Sequence, residues 1–177
     1  MNITIDENLR LELIEAHHAQ AIFELIDNNR NHLRKWLTFI DRMPTVEFVE
    51  QFCKGTMQRN IEGIEFAYVL VEQEKVIGRI GIYKIDNQNK IGEIGYWMAE
   101  SAQGKGIMTK SCKVMIDFCF AQLHLNRIEI KCATDNLRSI RIPEKLNFTK
   151  EGIIRQGEFL NNEFIDLNLY SLLRIEF

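Results

Sequence analysis

Residues 94–120 read IGYWMAESAQGKGIMTKSCKVMIDFCF. A β-rich run at 91–98 is followed by the loop Gln103-Gly104-Lys105-Gly106-Ile107-Met108-Thr109, and then by an amphipathic pattern from Thr109 to Leu123. Glycines in such a loop let the backbone turn tightly and approach a ligand closely. A helix N-terminus adds unpaired N–H donors and the positive end of the helix dipole. This order predicts a mixed α/β fold with an anion-binding loop.

The local charge supports the anion-binding interpretation. Residues 101–116 contain three lysines and no acidic residue, although the whole chain carries a net charge of −3. A phosphate or pyrophosphate is the expected ligand, and the alternative is a tight turn whose lysines face solvent. Thr109 stands where a P-loop requires glycine, and Gly106 is not followed by the third glycine of a Rossmann loop. Both of those nucleotide-binding motifs are therefore disfavoured.

Hydrophobic spacing extends the prediction outward from the loop. Strands are predicted at residues 9–14, 65–71, 76–85, 91–98, 127–132, 149–155 and 164–172. Helices are predicted at 17–29, 45–57, 109–123 and around 139–146, with helical propensity over 28–40. Strands that follow one another pair locally, whereas the strand–helix–strand unit at 91–132 needs a crossover. We therefore expect an α/β (mixed α+β) fold with a mostly antiparallel sheet of about seven strands flanked by helices.

Length and composition exclude several classes of protein. With 177 residues, 46% of them hydrophobic and only two prolines, the chain is expected to form one domain over residues 1–177. Short apolar runs and an acidic N-terminus without an apolar segment predict a cytoplasmic protein that does not enter a membrane. Four cysteines without metal-ligand spacing predict reduced thiols and no metal. Net acidity disfavours nucleic acid as a partner.

Two blocks of sequence resemble one family. Gln103 to Met108 is similar to the acetyl-CoA pyrophosphate loop of the GNAT N-acetyltransferases, although Met108 replaces the small residue that the family prefers. Residues 134–152, TDNLRSIRIPEKLNFTKEG, resemble a block of the ribosomal-protein N-terminal acetyltransferase (RimJ/RimL-like) branch. The matching positions are Asn136, Ser139, Glu144, Lys145, Phe148, Glu151 and Gly152. The segment around Trp36 and the ending DLNLYSLL also resemble that branch.

The resemblance implies a GNAT-like fold that uses acetyl-CoA as co-substrate and no metal. The implied cofactor-binding residues are Tyr96, Trp97, Met98, Gln103, Gly104, Lys105, Gly106, Ile107, Met108, Thr109, Asn136 and Ser139. Ser139 would donate a proton to the departing thiolate, and Glu158 would be the base that deprotonates the amine. Trp36 would belong to a flap over the acceptor site.

Each of these roles has an alternative explanation. Asn136 and Ser139 fit a helix cap, Glu158 fits a solvated residue in a loop between two strands, and Trp36 fits a hydrophobic anchor. Glycines inside strands, such as Gly92 and Gly95, mark close backbone approach, which would suit a strand facing the CoA arm.

Three functions of the protein remain open, two of which differ in the acceptor. The first is acetylation of the N-terminal α-amine of a protein, in particular a ribosomal protein. The second is acetylation of a small amine, such as a polyamine, an amino sugar or a peptide antibiotic, and the third is a CoA-binding sensor without turnover. An α-amine has a pKa about 2.6 units below that of lysine, which saves ~3.5 kcal/mol of deprotonation and favours the first. A homodimer stays open as well.

Overall fold

The computed structural model describes residues 2–177 and contains one eight-stranded sheet with five α-helices. The strands are β1 (Asn2–Thr4), β2 (Leu9–Leu13), β3 (Phe66–Glu72), β4 (Lys75–Asp86), β5 (Ile91–Met98), β6 (Arg127–Ala133), β7 (Thr149–Leu160) and β8 (Glu163–Leu173). The helices are α1 (Ala19–Asp27), α2 (Arg30–Leu33), α3 (Val46–Ile61), α4 (Ile107–Ala121) and α5 (Leu137–Lys145). The predicted mixed α/β architecture is confirmed.

The sheet is antiparallel except at one junction. Its strand order is β1-β2-β3-β4-β5-β6-β8-β7, and only β5 and β6 run parallel. The eighth strand is β1, which the sequence prediction missed because three residues show too little alternation. The parallel junction follows from the predicted strand–helix–strand unit, since α4 carries the chain back across one face of the sheet.

β5 and β6 pair over only three residues before they separate. Ile91, Gly92 and Glu93 pair with Arg127, Ile128 and Glu129, and no further pairs join the two strands within residues 2–177. The rest of β5, up to Met98, diverges from the rest of β6. A V-shaped gap therefore opens inside the sheet, on the side where the glycine loop leaves β5.

Side chains alternate between two faces of the sheet and form two separate cores. The α4 face contains one cluster, in which Met115, Cys112 and Cys119 are fully buried. The α1/α3 face contains the other cluster, around Ile22, Ile26 and residues of α3. Cys112 and Cys119 are therefore packing residues, as their position on the inner stripe of the long helix predicts. Among residues 2–177, none of the helices combines the length and apolar composition needed to cross a bilayer.

Candidate active site

A cleft of about 1240 Å³ occupies the gap between β5 and β6 and extends to the start of α4. It collects residues that lie far apart in the sequence. Of the predicted site residues, it is lined by Trp36, Tyr96, Trp97, Met98, Gln103, Gly104, Gly106, Ile107, Met108, Thr109, Asn136, Ser139 and Glu158. Lys105 is the exception: its side chain lies outside the cleft, with its Nζ 4.0 Å from a carboxylate oxygen of Glu72.

The glycine loop has the backbone conformation that the sequence predicts. Gly104 and Gly106 have φ angles of +81° and +76°, and Gly106 is the N-cap of α4. A methyl group added at either glycine would contact nothing within 4 Å. Backbone conformation, rather than lack of space, therefore requires glycine here. Met108 is 5% exposed and packs into the core under α4, so the larger side chain that departs from the family pattern is accommodated away from the loop.

Gln103 connects the loop to both walls of the cleft. Its Nε2 lies 2.8 Å from Nε2 of His32 on α2, and its Oε1 accepts a hydrogen bond from the guanidinium of Arg138 on α5. Burial lowers the pKa of His32, which keeps the ring neutral and able to accept this hydrogen bond. The side chain of Gln103 thus fixes the loop in place through protein contacts.

Ser139 lies at the start of α5 and faces the splayed end of β5. The side chain of Asn136 accepts a hydrogen bond from the Ser139 backbone N–H at 3.2 Å, so the predicted helix cap is present. The Ser139 Oγ lies 3.2 Å from both the Tyr96 hydroxyl and the Cys132 Sγ. Burial raises the pKa of Tyr96 and of Cys132, so both neighbours are neutral at neutral pH. The cap uses the backbone N–H of Ser139, and its hydroxyl, held between Tyr96 and Cys132, lines the cleft.

Pro143 explains how Tyr96 is held. A proline inside a helix has no N–H to donate to the carbonyl four residues earlier, which here is that of Ser139. The Tyr96 hydroxyl donates to that carbonyl at 3.2 Å. The break in the helix thus provides an acceptor for Tyr96 and ties β5 to α5 across the cleft. The position of Pro143 in the sequence indicates the missing hydrogen bond, whereas the replacement partner comes from a distant strand.

Glu158 lies within β7, where its backbone pairs with Ile165 of β8. The prediction that it belongs to a loop is wrong, because β7 continues through a bulge between Ile154 and Glu158 and extends to Leu160. Burial raises the pKa of its carboxyl, and the charge of Glu93 raises it further, while Lys84 opposes the shift. A half-buried carboxylate with a raised pKa is suited to accept a proton near neutral pH.

Glu93 is the charged neighbour that sequence reasoning missed. Its Oε2 accepts hydrogen bonds from Nζ of Lys131 at 2.8 Å and from Nζ of Lys84 at 3.0 Å. Burial alone would raise the pKa of Glu93, but the two ammonium groups outweigh it and lower the pKa. Glu93 therefore stays ionised beside Glu158. The alternating pattern of β5 contains no signal for this pairing, since it depends on three different strands.

Trp36 is half-exposed and lines the outer end of the cleft. It also borders a second cavity of about 140 Å³, together with Lys35, Asp135, Glu163 and Asp166. The guanidinium of Arg30 holds the segment that follows Trp36 by donating to the carbonyls of Ile40 and Met43. The position of Trp36 at the rim fits a residue of a flap better than a buried anchor.

One group of potential metal ligands lies away from the cleft. Atoms of Glu12, His17 and His18 come within 4.8 Å of one another. The Nδ1 of His18 accepts a hydrogen bond from the Glu15 N–H, and its Nε2 lies 3.0 Å from a carboxylate oxygen of Glu12. Both ring nitrogens of His18 are thus engaged by the protein, which explains the cluster without a metal.

The cleft is lined by residues from both faces of the sheet. Strand register places Tyr83, Glu93, Lys131 and Glu158 on the α1/α3 face, whereas Tyr96, Cys132 and Ser139 lie on the α4 side. The gap between β5 and β6 thus connects the carboxyl group of Glu158 on one face with the hydroxyl of Ser139 on the other. Two reactants that arrive from opposite faces would meet in it.

The family model described as "Acetyltransferase (GNAT) domain" matches residues 8–149. The chain belongs to the GNAT acetyltransferase family. It is 34% identical over 175 residues to the "Putative ribosomal N-acetyltransferase YdaF" of Bacillus subtilis (strain 168), covering 97% of this chain and 94% of that protein. It is 30% identical over 169 residues to the "Ribosomal-protein-serine acetyltransferase" of Escherichia coli (strain K12), covering 96% and 94%.

Among solved structures, the GNAT domain is similar to RimL, a "Ribosomal L7/L12 alpha-N-protein acetyltransferase in complex with Coenzyme A". The TM-score is 0.94 at 28% sequence identity, and the match covers 100% of both chains. The resemblance that rested on two sequence blocks thus extends over the whole fold. The enzyme class, an acyltransferase of the GNAT type, is confirmed by the family match.

Proposed function

We propose that this GNAT protein transfers the acetyl group of acetyl-CoA to the N-terminal α-amine of a ribosomal protein. The observation that carries the proposal is the gap through the sheet, with Glu158 on one face and Ser139 on the other. A direct transfer needs a group to take the proton of the amine and a group to protonate the leaving thiolate. The ribosomal acceptor is supported by the names of the two similar bacterial proteins.

The α4 end of the cleft fits the co-substrate. The glycine loop presents the N-terminus of α4 without a side chain at Gly104 or Gly106, and no acidic residue lies in residues 101–116. Arg138, Arg141 and Lys145 of α5 line the same cleft and supply positive charge. Backbone N–H groups at a helix N-terminus and basic side chains are the donors that a pyrophosphate requires. Bound acetyl-CoA supplies the acetyl thioester.

The chain's own residues then handle the protons and the developing charge. Glu158 accepts a proton from the ammonium form of the acceptor, directly or through water. In the diverging segment Tyr96–Met98, the backbone N–H groups of Tyr96 and Met98 face the gap, lack β6 as a partner and are available to polarise the carbonyl oxygen. Ser139 passes its proton to the thiolate as it takes one from solvent, and the neutral Tyr96 and Cys132 fix the position of its hydroxyl.

The charge of the cleft favours a protein terminus over a polyamine. Seven basic residues line it, namely Lys35, Arg79, Lys84, Lys131, Arg138, Arg141 and Lys145, against the four acidic residues Glu93, Glu100, Asp135 and Glu158. Three of the basic residues, Arg138, Arg141 and Lys145, serve the co-substrate, which leaves four basic and four acidic residues and thus no acidic excess to attract a polycationic amine. The volume of the cleft and its open rim at Trp36 leave room for an extended peptide.

An acceptor screen tests the function. Ribosomal-protein N-terminal peptides and, separately, spermidine are mixed with enzyme and acetyl-CoA, and release of the CoA thiol is followed with a thiol reagent. We expect turnover with at least one peptide, located on the α-amine by mass spectrometry, and little or none with spermidine. Faster turnover of spermidine would overturn the protein acceptor, and binding of acetyl-CoA without turnover of any amine would favour a sensor.

Ser139→Ala is expected to slow the reaction about 10- to 100-fold without abolishing it. A thiol with a pKa of about 8.5 leaves as an anion with only modest help, so loss of the donor is not fatal. The measurement is kcat with a good peptide acceptor. Ser111→Ala is the matched control, because its buried hydroxyl donates within α4 to the Ile107 carbonyl and does not line the cleft. Equal effects of both substitutions would argue against a role for Ser139 in proton donation.

A further inference from the structure

Arg79 is a buried cation without an anionic partner. It lies in β4 opposite Trp97 of β5, on the α1/α3 face of the sheet, and is 8% exposed. Within residues 2–177, no carboxylate oxygen lies within 4.0 Å of its guanidinium, and its Nε is buried with no hydrogen-bond acceptor. Buried charges are ordinarily paired, because removal from water is costly. An unpaired buried guanidinium therefore calls for an explanation.

The neighbours of Arg79 hold it without neutralising it. The ring of Phe52 lies 4.4 Å and that of Tyr83 lies 5.4 Å from the guanidinium carbon, which are cation–π contacts. Burial raises the pKa of Tyr83, so its hydroxyl is neutral. The nearby carboxylates serve other cations, since Glu65 pairs with Arg59 at 3.0 Å and Glu93 accepts from Lys84 and Lys131. The side chain is thus fixed in position while its charge stays unused.

Arg79 also lines the cleft, on the face from which the acceptor is proposed to arrive. It shares this face with Tyr83, Glu93 and Glu158, and Phe52 covers one side of its planar group. We infer that Arg79 binds a carboxylate of the acceptor, namely that of an acidic side chain close to the N-terminus of the acetylated peptide. This inference rests on the proposed peptide acetylation.

The chemistry of the site selects a carboxylate among anions. A guanidinium matches a carboxylate with two parallel hydrogen bonds. The ionised Glu93 and Glu158 on the same face would repel a phosphate dianion about twice as strongly as a carboxylate, which carries a single charge.

The geometry also separates the carboxylate from the reacting amine. Arg79 lies opposite Trp97, whereas Glu93, the acidic neighbour of Glu158, lies opposite Tyr83, which is four residues or roughly 13 Å further along β4. A free amino acid, whose carboxylate and amine share one carbon, cannot bridge two separated groups. A peptide with its acidic residue beyond the first position can do so.

A peptide series with paired substitutions tests the inference. Peptides that begin with serine carry aspartate or its neutral isostere asparagine at position 2, 3 or 4, and kcat and KM are measured for each with wild-type enzyme. We expect a preference of at least tenfold in kcat/KM for aspartate at one position, expressed mainly in KM. Arg79→Gln should remove that preference, so that the aspartate and asparagine peptides have equal kcat/KM. Absence of any preference in the wild type, or its persistence in Arg79→Gln, would overturn the inference.

Controls separate a binding role from a structural one. Arg174→Gln removes the same charge from an exposed site at the end of β8 and should keep the preference. Arg79→Lys keeps the charge but not the planar fork and should reduce the preference, which leaves the inference testable if the glutamine variant does not fold. Calorimetry with both peptides and the CoA-saturated protein measures the contribution of Arg79 to peptide affinity in the absence of turnover. Failure of the proposed function would abolish turnover with every peptide, whereas failure of this inference would leave turnover and remove only the aspartate dependence.

Discussion

Gly106→Val is expected to raise the Kd for acetyl-CoA at least 100-fold while the protein remains folded. At φ +76° a β-branched residue is strained by roughly 1–2 kcal/mol or more, so the loop will shift to a different conformation. A branched side chain would also stand over the first N–H groups of α4, where the pyrophosphate is proposed to bind. Both effects act on the loop, because no other residue lies within 4 Å of the new Cβ. Isothermal titration calorimetry with acetyl-CoA measures the loss directly.

Gly63→Val provides the matched control for this substitution. Gly63 also has a positive φ, of +70°, and a Cβ there would meet nothing within 4 Å, but it lies outside the cleft. The two variants should therefore lose similar amounts of thermal stability, while only the one in the loop loses the ligand. Unchanged affinity in Gly106→Val would show that the pyrophosphate binds elsewhere.

Glu158→Gln is expected to lower kcat/KM about 100-fold at pH 6–7 and less above pH 8.5, the low end of what a general base contributes. Below the pKa of an α-amine, near 7.7–8.0, the acceptor is mostly protonated and needs a base. Above this pKa the amine is already neutral, so the difference in kcat/KM between Glu158→Gln and the wild type becomes smaller. In the wild type, kcat/KM should fall as pH drops through the raised pKa of Glu158, because protonation removes the acceptor of the proton.

The pH profile distinguishes a base from a binding residue. In Glu158→Gln the acid limb of the profile, which is the fall of kcat/KM caused by protonation of Glu158, should disappear. Glu7→Gln, at an exposed site outside the cleft, should leave the profile unchanged. Glu93→Gln should move the same limb to lower pH, because it removes the negative charge that helps to raise the pKa of Glu158. A profile identical in all variants would exclude Glu158 as the base.

The sequence predicted the α4 half of the site well, because that half depends on local backbone geometry. The strand, the glycine loop, α4 and the Asn136 cap are all encoded in short contiguous segments. Lys105 was assigned to the site with its neighbours, yet its side chain points away from the cleft. Spacing within a loop predicts which backbone groups converge but not where each side chain points.

The other half depended on contacts between distant strands and was predicted less well. Glu158 was placed in a loop because a bulge interrupts the alternation of β7. No local sequence pattern indicated that Glu93 or Arg79 belongs to the site. Gly92 and Gly95 mark close approach to the strand, as glycine inside a strand predicts, and a contact with the CoA arm stays a prediction. A methyl group at Gly92 would lie 2.7 Å from Ile82 Cδ1, and one at Gly95 would lie 3.2 Å from the Tyr83 ring, so protein side chains fill those spaces.

The short parallel junction divides the sheet into two antiparallel units. Strands β1 to β5 pair in sequence order, whereas in the second unit β6 pairs with β8 and β8 with β7. Three backbone pairs, the α4 connection and side-chain hydrogen bonds such as those from Tyr96 to Ser139 and from Lys131 to Glu93 unite the two units. The site is therefore complete only after the two units dock. A ligand that spans the junction binds the docked state alone and stabilises it by mass action, so substrate supply also governs the lifetime of the assembled sheet.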